Sequence, residues 1–504
     1  MVAFTGSEAI VGVRQVPRLV VPGLAFMAGA AVLLALTLAD ADHPAVAVVW
    51  GGIGLAAWCS GLLCVLSGPL YGDLGLARWK TGPWMLAWCA LTSGIATVTW
   101  NQPQQGAAAQ IALDSVLRAL WLVAVAMTAL AAGYAAGPGR LLRRLAERGM
   151  AAVRRRSGED VRSPAAPWLL YGIATAARLA TLATAGRFGY IGNAGAAFTG
   201  ATGYGQVFAD LALLAPLAVA AAALQAFRER RKGARVTLVV LFLAELAVGT
   251  AAGGKQNFII TVLAVAVPLS AVRFRLPKTA LLAAGAVFLL VIVPFNSAYR
   301  DAARGGPVTL TASQAASEAP GLLRQAAGSG ALAAVPASVS YLLVRLRAID
   351  TPAVIMQRTP GQVPFISAAQ LAEAPVANLV PRALWPGKPL LTAGYQFGQQ
   401  YLGASSSAYS TDAITAPGDL YRHGGWVPVL AGMFLLGCAV RLLDLAADIR
   451  ASPHAVFLVL LFLPGIAKGE VDWVTLVAGI PSGVAVWWLA VALTFRRKCS
   501  IAIL

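Results

Sequence analysis

Residues 19–39, LVVPGLAFMAGAAVLLALTLA, form an apolar run without a single charged side chain. A helix of about 20 residues crosses the hydrocarbon core of a bilayer, so this run predicts a membrane-spanning helix and no cleaved signal peptide. The composition points the same way. The chain is 58% hydrophobic and only 12% charged, whereas a soluble domain carries about 25% charged residues. The sequence therefore predicts a polytopic membrane protein of the all-α class.

Eleven further apolar runs follow the first one. The twelve predicted spans lie near residues 19–39, 45–66, 83–100, 113–137, 166–186, 207–227, 236–252, 257–272, 279–298, 426–446, 454–472 and 474–495. Some neighbouring spans are short and closely joined, so eleven or thirteen spans are also compatible with the sequence. We expect three parts: 1–298 with spans one to nine, 299–425 as an extracytoplasmic loop module, and 426–504 with the last three spans and a cytoplasmic tail.

The basic residues are sorted by side of the predicted membrane. With both termini in the cytoplasm, the inner segments hold 25 Lys and Arg, and the short outer loops hold three, Arg187, Lys255 and Lys468. This asymmetry is the positive-inside bias. Eight of the inner arginines lie in 140–165, which we expect to be a solvated basic cytoplasmic loop. The net charge of +18 thus faces anionic lipid headgroups, which makes membrane lipids the expected partner and leaves no reason to expect nucleic acid.

The predicted outer loop, 299–425, is long and mixes aromatic, apolar and charged residues. Guanidinium groups bind phosphate through two parallel hydrogen bonds and stay charged at any working pH. A cluster of them predicts a site for the diphosphate of a lipid-linked substrate, although headgroup contacts and structural ion pairs are alternatives. The basic residues of this loop are Arg300, Arg304, Arg324, Arg345, Arg347, Arg358, Arg382, Lys388 and Arg422.

Three stretches near the end of this loop follow a known pattern: LVPRALWPGKP at 379–389, GYQFGQQYLG at 394–403 and TDAITAPGDLYRHGGWVPVLAGMFLLG at 411–437. Together they resemble the C-terminal signature of the oligosaccharide repeat-unit polymerases, the Wzy-type O-antigen and exopolysaccharide polymerases. GGKQNFIITVL at 253–263 resembles the family's Gly-x-Arg/Lys turn before a span. The chain departs from the pattern at Asp419, where Glu is usual, and at His423, where an aromatic residue is usual.

The resemblance implies a membrane glycosyltransferase of the C type that uses neither metal nor cofactor. Such enzymes work at the outer face of the cytoplasmic (inner) membrane. They join undecaprenyl-diphosphate-linked oligosaccharides into a cell-surface polysaccharide, alongside a flippase and a chain-length regulator. The sequence agrees with this expectation, because it contains neither a metal-ligand spacing nor a nucleotide-binding loop.

Residue roles follow from the resemblance and from the basic cluster together. Asp419 or His423 would accept the proton of the acceptor hydroxyl, and Arg382 would belong to the catalytic group. The cationic side chains would hold and neutralise the leaving diphosphate, and the aromatic ones would line the sugar path. The predicted substrate-binding residues are Lys255, Arg300, Arg345, Arg347, Lys388, Arg422, Tyr299, Trp385, Tyr395, Tyr401 and Tyr421.

Three other functions stay open at the level of sequence. A transporter or flippase of the same lipid-linked sugar suits twelve spans, but it would place charges near the middle of several spans and show repeat symmetry. An O-antigen-ligase-like transferase would show the same outer arginines. A glycosyltransferase with a lipid-phosphate-sugar donor would carry acidic residues in the first outer loop, where Asp40 and Asp42 lie.

Overall fold

The computed structural model describes residues 16–39, 44–71, 79–101, 110–188, 191–192, 204–295, 321, 335–380, 384–385, 393–403, 414–467 and 471–497. Its helices are α1 (Val16–Ala39), α2 (Pro44–Tyr71), α3 (Thr81–Cys89), α4 (Leu113–Ala136), α5 (Arg140–Arg156), α6 (Ala166–Ala185), α7 (Gly205–Ala212), α8 (Leu214–Phe227), α9 (Ala234–Ala251), α10 (Lys255–Arg273), α11 (Lys278–Val287), α12 (Val335–Leu346), α13 (Asp350–Arg358), α14 (Ala369–Leu379), α15 (Ala393–Leu402), α16 (Ala416–Arg422), α17 (Trp426–Ala446), α18 (His454–Ala467) and α19 (Trp473–Thr494).

Four short strands complete the secondary structure of the described residues. They are β1 (Ser157–Val161), β2 (Arg187–Phe188), β3 (Ile191–Gly192) and β4 (Phe495–Arg497). β1 pairs antiparallel with β4, and β2 pairs antiparallel with β3. The protein is therefore mostly helical, as the apolar runs predict.

Nine helical segments of the described chain are long and apolar enough to cross a membrane. They cover Leu19–Thr37, Ala45–Leu66, Leu113–Ala136, Gly205–Phe227, Ala234–Ala251, Lys255–Arg273, Lys278–Phe295, Trp426–Ala446 and Trp473–Thr494. The chain is thus a multi-pass membrane protein. The remaining predicted spans correspond to α6, to the shorter apolar helix α18 and to the α3 segment, where a π-helical turn at Ala90–Gly94 and a 3₁₀ turn at Ile95–Asn101 continue the helix. The count of twelve spans stays a prediction.

The packing centre of the second half of the spans is α8. Every residue from Leu214 to Ala226 is buried, and α6, α9, α10 and α18 all pack against this helix. Seven of these thirteen residues are alanine. Small side chains let helices approach closely where lipid gives no hydrophobic driving force between them.

The packing centre of the first half is α4, which contacts α2, α13 and α17. The crossing of α4 and α17 depends on two glycines. A Cβ at Gly133 would lie 1.9 Å from the carbonyl oxygen of Phe434, and a Cβ at Gly437 would lie 2.1 Å from the carbonyl oxygen of Leu130. Only glycine allows the two backbones to approach this closely.

Asp444, near the end of α17, joins three helices at one end of the bundle. Its carboxylate accepts hydrogen bonds from the amides of Thr81 and Gly82 at 2.6 and 3.0 Å and from the Tyr134 hydroxyl at 2.8 Å. The ammonium group of Lys80 donates to the Asp444 carbonyl oxygen. The first amides of α3, which have no partner inside their own helix, are thereby satisfied by a residue more than 300 positions later.

Segments that the charge pattern assigns to one side also meet in space. At the predicted inner end, β1 pairs with β4 and Lys80 contacts Asp444. At the predicted outer end, the guanidinium of Arg347 bonds Thr99 and the Asp419 carboxylate bonds the start of α19.

The segment 140–165 differs from the solvated loop that we expected. It forms the helix α5, which packs against α17, and then the strand β1, which pairs with β4. Its apolar residues explain the difference, because Met150 is buried and Val153 packs on the core.

The predicted loop module contributes α12 to α16, which pack onto the spans. Helix α13 contacts both α4 and α16, α14 contacts α19, and α12 contacts the 3₁₀ turn at Ile95–Asn101. These contacts place α16, the shortest of the described α-helices, against the predicted outer ends of α4, α17 and α19.

Candidate functional site

The local sequence explains how α16 is positioned. Thr415 is the N-cap residue, and its side-chain oxygen accepts a hydrogen bond from the amide of Gly418 at 3.3 Å. Pro417 occupies the first turn, where its missing N–H costs nothing. After Arg422 the chain turns sharply through Gly424 and Gly425, whose φ angles are 141° and 77°. This turn starts α17 immediately after the short helix.

Asp419 is the centre of a polar cluster around α16, which we call the outer cluster: Asp419, Arg422, His423 and Asp472. The first three are buried, and Asp472, which precedes α19, is half-buried. No part of Asp419 is exposed. The Arg422 Nε donates to its Oδ1 at 2.6 Å, and the backbone amide of Val474 donates to its Oδ2 at 3.3 Å. The carboxylate thus faces the N-terminus of α19, where the helix dipole favours negative charge.

His423 carries its lone pair on the nitrogen that faces the cluster. Its Nδ1 lies 3.0 Å from the carbonyl oxygen of Ser367. A carbonyl oxygen only accepts, so Nδ1 holds the proton in the neutral ring and Nε2 is the unprotonated nitrogen. Burial lowers the pKa of His423 against the opposing effect of Asp419, which favours the neutral ring. Nε2 lies 3.8 Å from Asp419 Oδ1, and two acceptors make no hydrogen bond.

Two buried atoms of the outer cluster lack a hydrogen-bond partner among the residues that the structure describes. They are Nη1 of Arg422, a donor, and Nε2 of His423, an acceptor. Both side chains approach the same oxygen of Asp419. Buried polar atoms without a partner are rare and costly in proteins. A hydroxyl group, which both donates and accepts, complements this pair of atoms.

Asp472 is the member of the cluster that sequence reasoning missed. Its Oδ1 accepts from the amide of Thr475 at 2.7 Å, so it caps α19. Burial raises the pKa of Asp472, and the nearby charge of Asp419 raises that pKa further. A signal was present in the sequence, because an aspartate directly before an apolar run that opens with Trp473 has the pattern of an N-cap.

Two of the predicted tyrosines lie on short helices of this region, Tyr401 on α15 and Tyr421 on α16. Tyr401 is fully buried and its hydroxyl lies 2.6 Å from the Thr359 hydroxyl, and burial raises the pKa of Tyr401. Tyr421 is half-buried, with its ring edge-on to Phe365 and Trp426 at centroid distances of 6.4 Å each.

Arg347 is held by protein groups on both edges of its guanidinium. Nε and Nη2 bond the Asp350 carboxylate at 2.8 and 3.1 Å, and Nη1 donates to the Thr99 hydroxyl at 3.1 Å. The group also stacks over the Trp100 ring at 4.6 Å. Despite Arg347, burial keeps the pKa of Asp350 raised. This arrangement suits a residue that holds the loop module on the spans.

The other predicted residues are dispersed or lie outside the described chain. Arg345 is exposed at the end of α12, and Trp385 is 39% exposed. The Lys255 ammonium lies 5.0 Å from the centre of the Tyr341 ring. Tyr395 lies on α15, but its side chain is outside the described part. The predicted residues that the structure does not describe are Tyr299, Arg300, Arg382 and Lys388.

A small cavity of about 30 Å³ lies beneath α16. Its walls are mostly apolar and include Met85, Trp88, Met127, Pro417 and Met433. The π-helical turn at Ala90–Gly94 contributes Thr92 and Ser93 to the same wall, and such turns are frequent at functional sites.

Within the described ranges, no group of three or more His, Cys, Asp or Glu side chains is placed to hold a metal ion. The four cysteines there, Cys59, Cys64, Cys89 and Cys438, are not joined in disulfides.

One known family model matches more than half of the chain. Residues 181–450 match the family model described as "Domain of unknown function (DUF8712)". The chain belongs to the DUF8712 family. The DUF8712 region begins within α6 and ends just after α17, so it contains Asp419, Arg422 and His423 but not Asp472. No curated protein and no solved structure matches the chain.

Proposed function

We propose that this protein is a membrane glycosyltransferase that joins undecaprenyl-diphosphate-linked oligosaccharide repeat units into a cell-surface polysaccharide at the outer face of the cytoplasmic membrane. The observation that carries the proposal is the outer cluster, in which His423 Nε2 and Arg422 Nε approach one carboxylate oxygen of Asp419. The unprotonated His423 Nε2 and the Arg422 Nη1 of this cluster have no hydrogen-bond partner among the described residues. Buried charges at the ends of membrane helices are costly and are retained for function. The resemblance of 379–437 to repeat-unit polymerases names the reaction.

In the proposed reaction, the hydroxyl of the acceptor sugar lies between His423 and Arg422. His423 Nε2 takes the hydroxyl proton while the oxygen forms a bond to the anomeric carbon of the donor glycan. The bond between that carbon and the diphosphate oxygen breaks, and undecaprenyl diphosphate leaves. Asp419 orients Arg422, and the Ser367 carbonyl orients His423 through Nδ1. The charge of the Asp419 carboxylate stabilises the imidazolium that forms.

The charge of the leaving diphosphate needs cationic partners. In our proposal Arg382, Lys388, Arg300, Arg345 and Lys255 supply them.

The direct test is polymerisation by the purified full-length protein in nanodiscs, supplied with undecaprenyl-diphosphate-linked oligosaccharide from the native host. We expect a ladder of lengthened glycans from the wild type and a loss of about 100-fold or more in rate for His423→Asn, which removes the proton acceptor. The matched control is His454→Asn. That histidine is also buried but lies at the inner end, bonded to Ser452 and Gly158, so its variant should polymerise normally per folded molecule.

Other results would assign a different function. A wild-type protein that makes no ladder but moves the lipid-linked sugar across sealed vesicles is a transporter. A single transfer of a finished glycan to a second acceptor, without a ladder, indicates a ligase. Polymerisation by His423→Asn at the wild-type rate would refute the proposed proton acceptor.

The proposal also requires that the loop module faces outward. A cysteine at Leu390 should react with an impermeant thiol reagent in intact cells, and a cysteine at Arg148, which is exposed on α5, should react only after lysis. The opposite pattern would overturn the orientation.

A further inference from the structure

We infer that α5 is a membrane-surface helix that binds the anionic lipids of the leaflet at the inner end of the spans. The inference does not depend on the proposed function. Three leucines on this helix are strongly exposed: Leu141 at 70%, Leu142 at 51% and Leu145 at 52%. Leucines exposed to water on a charged helix need a cover.

The position of α5 brings it to the membrane boundary at both of its ends. It begins four residues after α4 ends at Ala136. It continues directly into β1, which pairs with β4 at the end of α19, and the amide of Arg162 bonds the carbonyl oxygen of Thr494 at 2.7 Å. A helix of 17 residues, about 25 Å long, that starts and finishes beside the ends of two spans runs along the surface.

The faces of α5 are divided between protein, lipid tails and headgroups. At 100° per residue the apolar residues occupy one half of the helix. Met150 and Val153 use part of this half to pack on the protein, and the exposed leucines occupy the remaining arc of about 100°. No described residue covers that arc.

Charge complementarity identifies the cover. Arg144, Arg148 and Arg155 lie on the flank next to the exposed leucines, and all three are exposed. On the far flank, the single acid Glu147 is bonded by Arg143 at 2.8 Å. Leucines flanked by arginines are the pattern of a helix that places apolar side chains below the headgroups and basic ones among the phosphates.

Hydrogen exchange of the full-length protein in nanodiscs tests the inference. One disc type contains phosphatidylcholine only, and the other contains one part phosphatidylglycerol to two parts phosphatidylcholine. We expect slower amide exchange over 141–149 in the anionic discs and loss of this difference at high salt. Arg144→Gln/Arg148→Gln should lower the protection factor of these amides in the anionic discs roughly thirtyfold, because each arginine near an anionic surface contributes about fivefold to binding. The control, Arg140→Gln/Arg143→Gln, removes the same charge from the far flank and should keep most of the protection.

A second variant tests the apolar part. Leu141→Ser/Leu145→Ser should speed exchange in both disc types, because a leucine that inserts among lipids contributes to binding whatever the headgroup charge.

Three results would overturn the inference. Equal exchange in the two disc types would show that anionic lipid does not bind α5. Equal loss in the two arginine variants would show an effect of net charge alone. Protection that appears only when two copies share a disc would assign the leucines to a second copy of the chain.

Discussion

Asp444 should be among the most important single side chains for the stability of this protein. It is 1% exposed and accepts three hydrogen bonds, two from the first amides of α3 and one from the Tyr134 hydroxyl of α4. No sequence pattern marks it, since it lies in an apolar span next to leucines. The prediction therefore tests the tertiary arrangement directly.

The substitution Asp444→Ala removes the carboxylate that accepts from three buried donors. Each unpaired buried donor costs about 1 to 3 kcal/mol, so we expect a loss of at least about 3 kcal/mol in the free energy of unfolding. Asp444→Asn keeps one acceptor oxygen but turns an NH₂ group towards the remaining donors, so its loss should be smaller than that of alanine and still above about 1 kcal/mol.

The assay is an equilibrium unfolding titration in mixed micelles, with the folded fraction measured by size exclusion. Asp448→Asn is the matched control, because that carboxylate lies four residues further along the chain. Among the described residues it accepts a hydrogen bond from the Arg450 amide alone, at 3.1 Å. We expect the control to stay within about 0.5 kcal/mol of the wild type. A loss below about 1 kcal/mol for Asp444→Ala would show that α3 is not held in this way.

Three further predictions use the same titration. Gly437→Ala should lower the free energy of unfolding by about 3 kcal/mol or more, because its Cβ would lie 2.1 Å from a backbone oxygen of α4. Gly465→Ala, where a Cβ would meet nothing within 4 Å, should be neutral or stabilising. Equal effects of the two substitutions would contradict the close crossing of α4 and α17. Arg347→Ala should lower the free energy of unfolding by about 3 to 5 kcal/mol, because it leaves Asp350 without its ion-pair partner. The double variant Arg347→Ala/Asp350→Ala should recover part of this loss. If the effects of the two single substitutions simply add, the two side chains do not stabilise each other. Burial lowers the pKa of His423, so on acidification this histidine is protonated in the unfolded chain at a higher pH than in the folded protein. The free energy of unfolding should therefore fall as the pH drops below about 6.5, by up to about 1.4 kcal/mol per pH unit. Parallel plots of unfolding free energy against pH for the wild type and His423→Asn would refute this.

The membrane class could be predicted because apolar runs report on one chain segment at a time. All nine long apolar helical segments of the described chain begin within two residues of the start of a predicted span. The π-helical and 3₁₀ turns that continue α3 could not be predicted, because they form where this segment packs against α2 and α12. The π-helical turn also lines the cavity beneath α16.

The candidate site could be predicted only in part. The residue types on α16 stood out because Asp, Arg and His follow one another before a span. The i,i+4 spacing of Asp419 and His423 was visible in the sequence. The contacts of His423 with Ser367 and of Asp419 with the Val474 amide were not, since they depend on the segment before α14 and on α19 reaching α16. Arg347 looked like a further phosphate ligand in the sequence, and in the structure its guanidinium is occupied by Asp350 and Thr99.

By itself the sequence determined that this chain is a membrane protein and which ends of its predicted spans carry the positive charge, because hydropathy and charge are properties of each segment separately. Only the tertiary structure decided which polar groups are satisfied and which stay open. Asp444 pairs with amides more than 300 residues away, and two atoms of the outer cluster find no partner among the described residues. Hydrogen bonding depends on distances of a few ångströms between distant segments, and no local pattern of residues contains those distances.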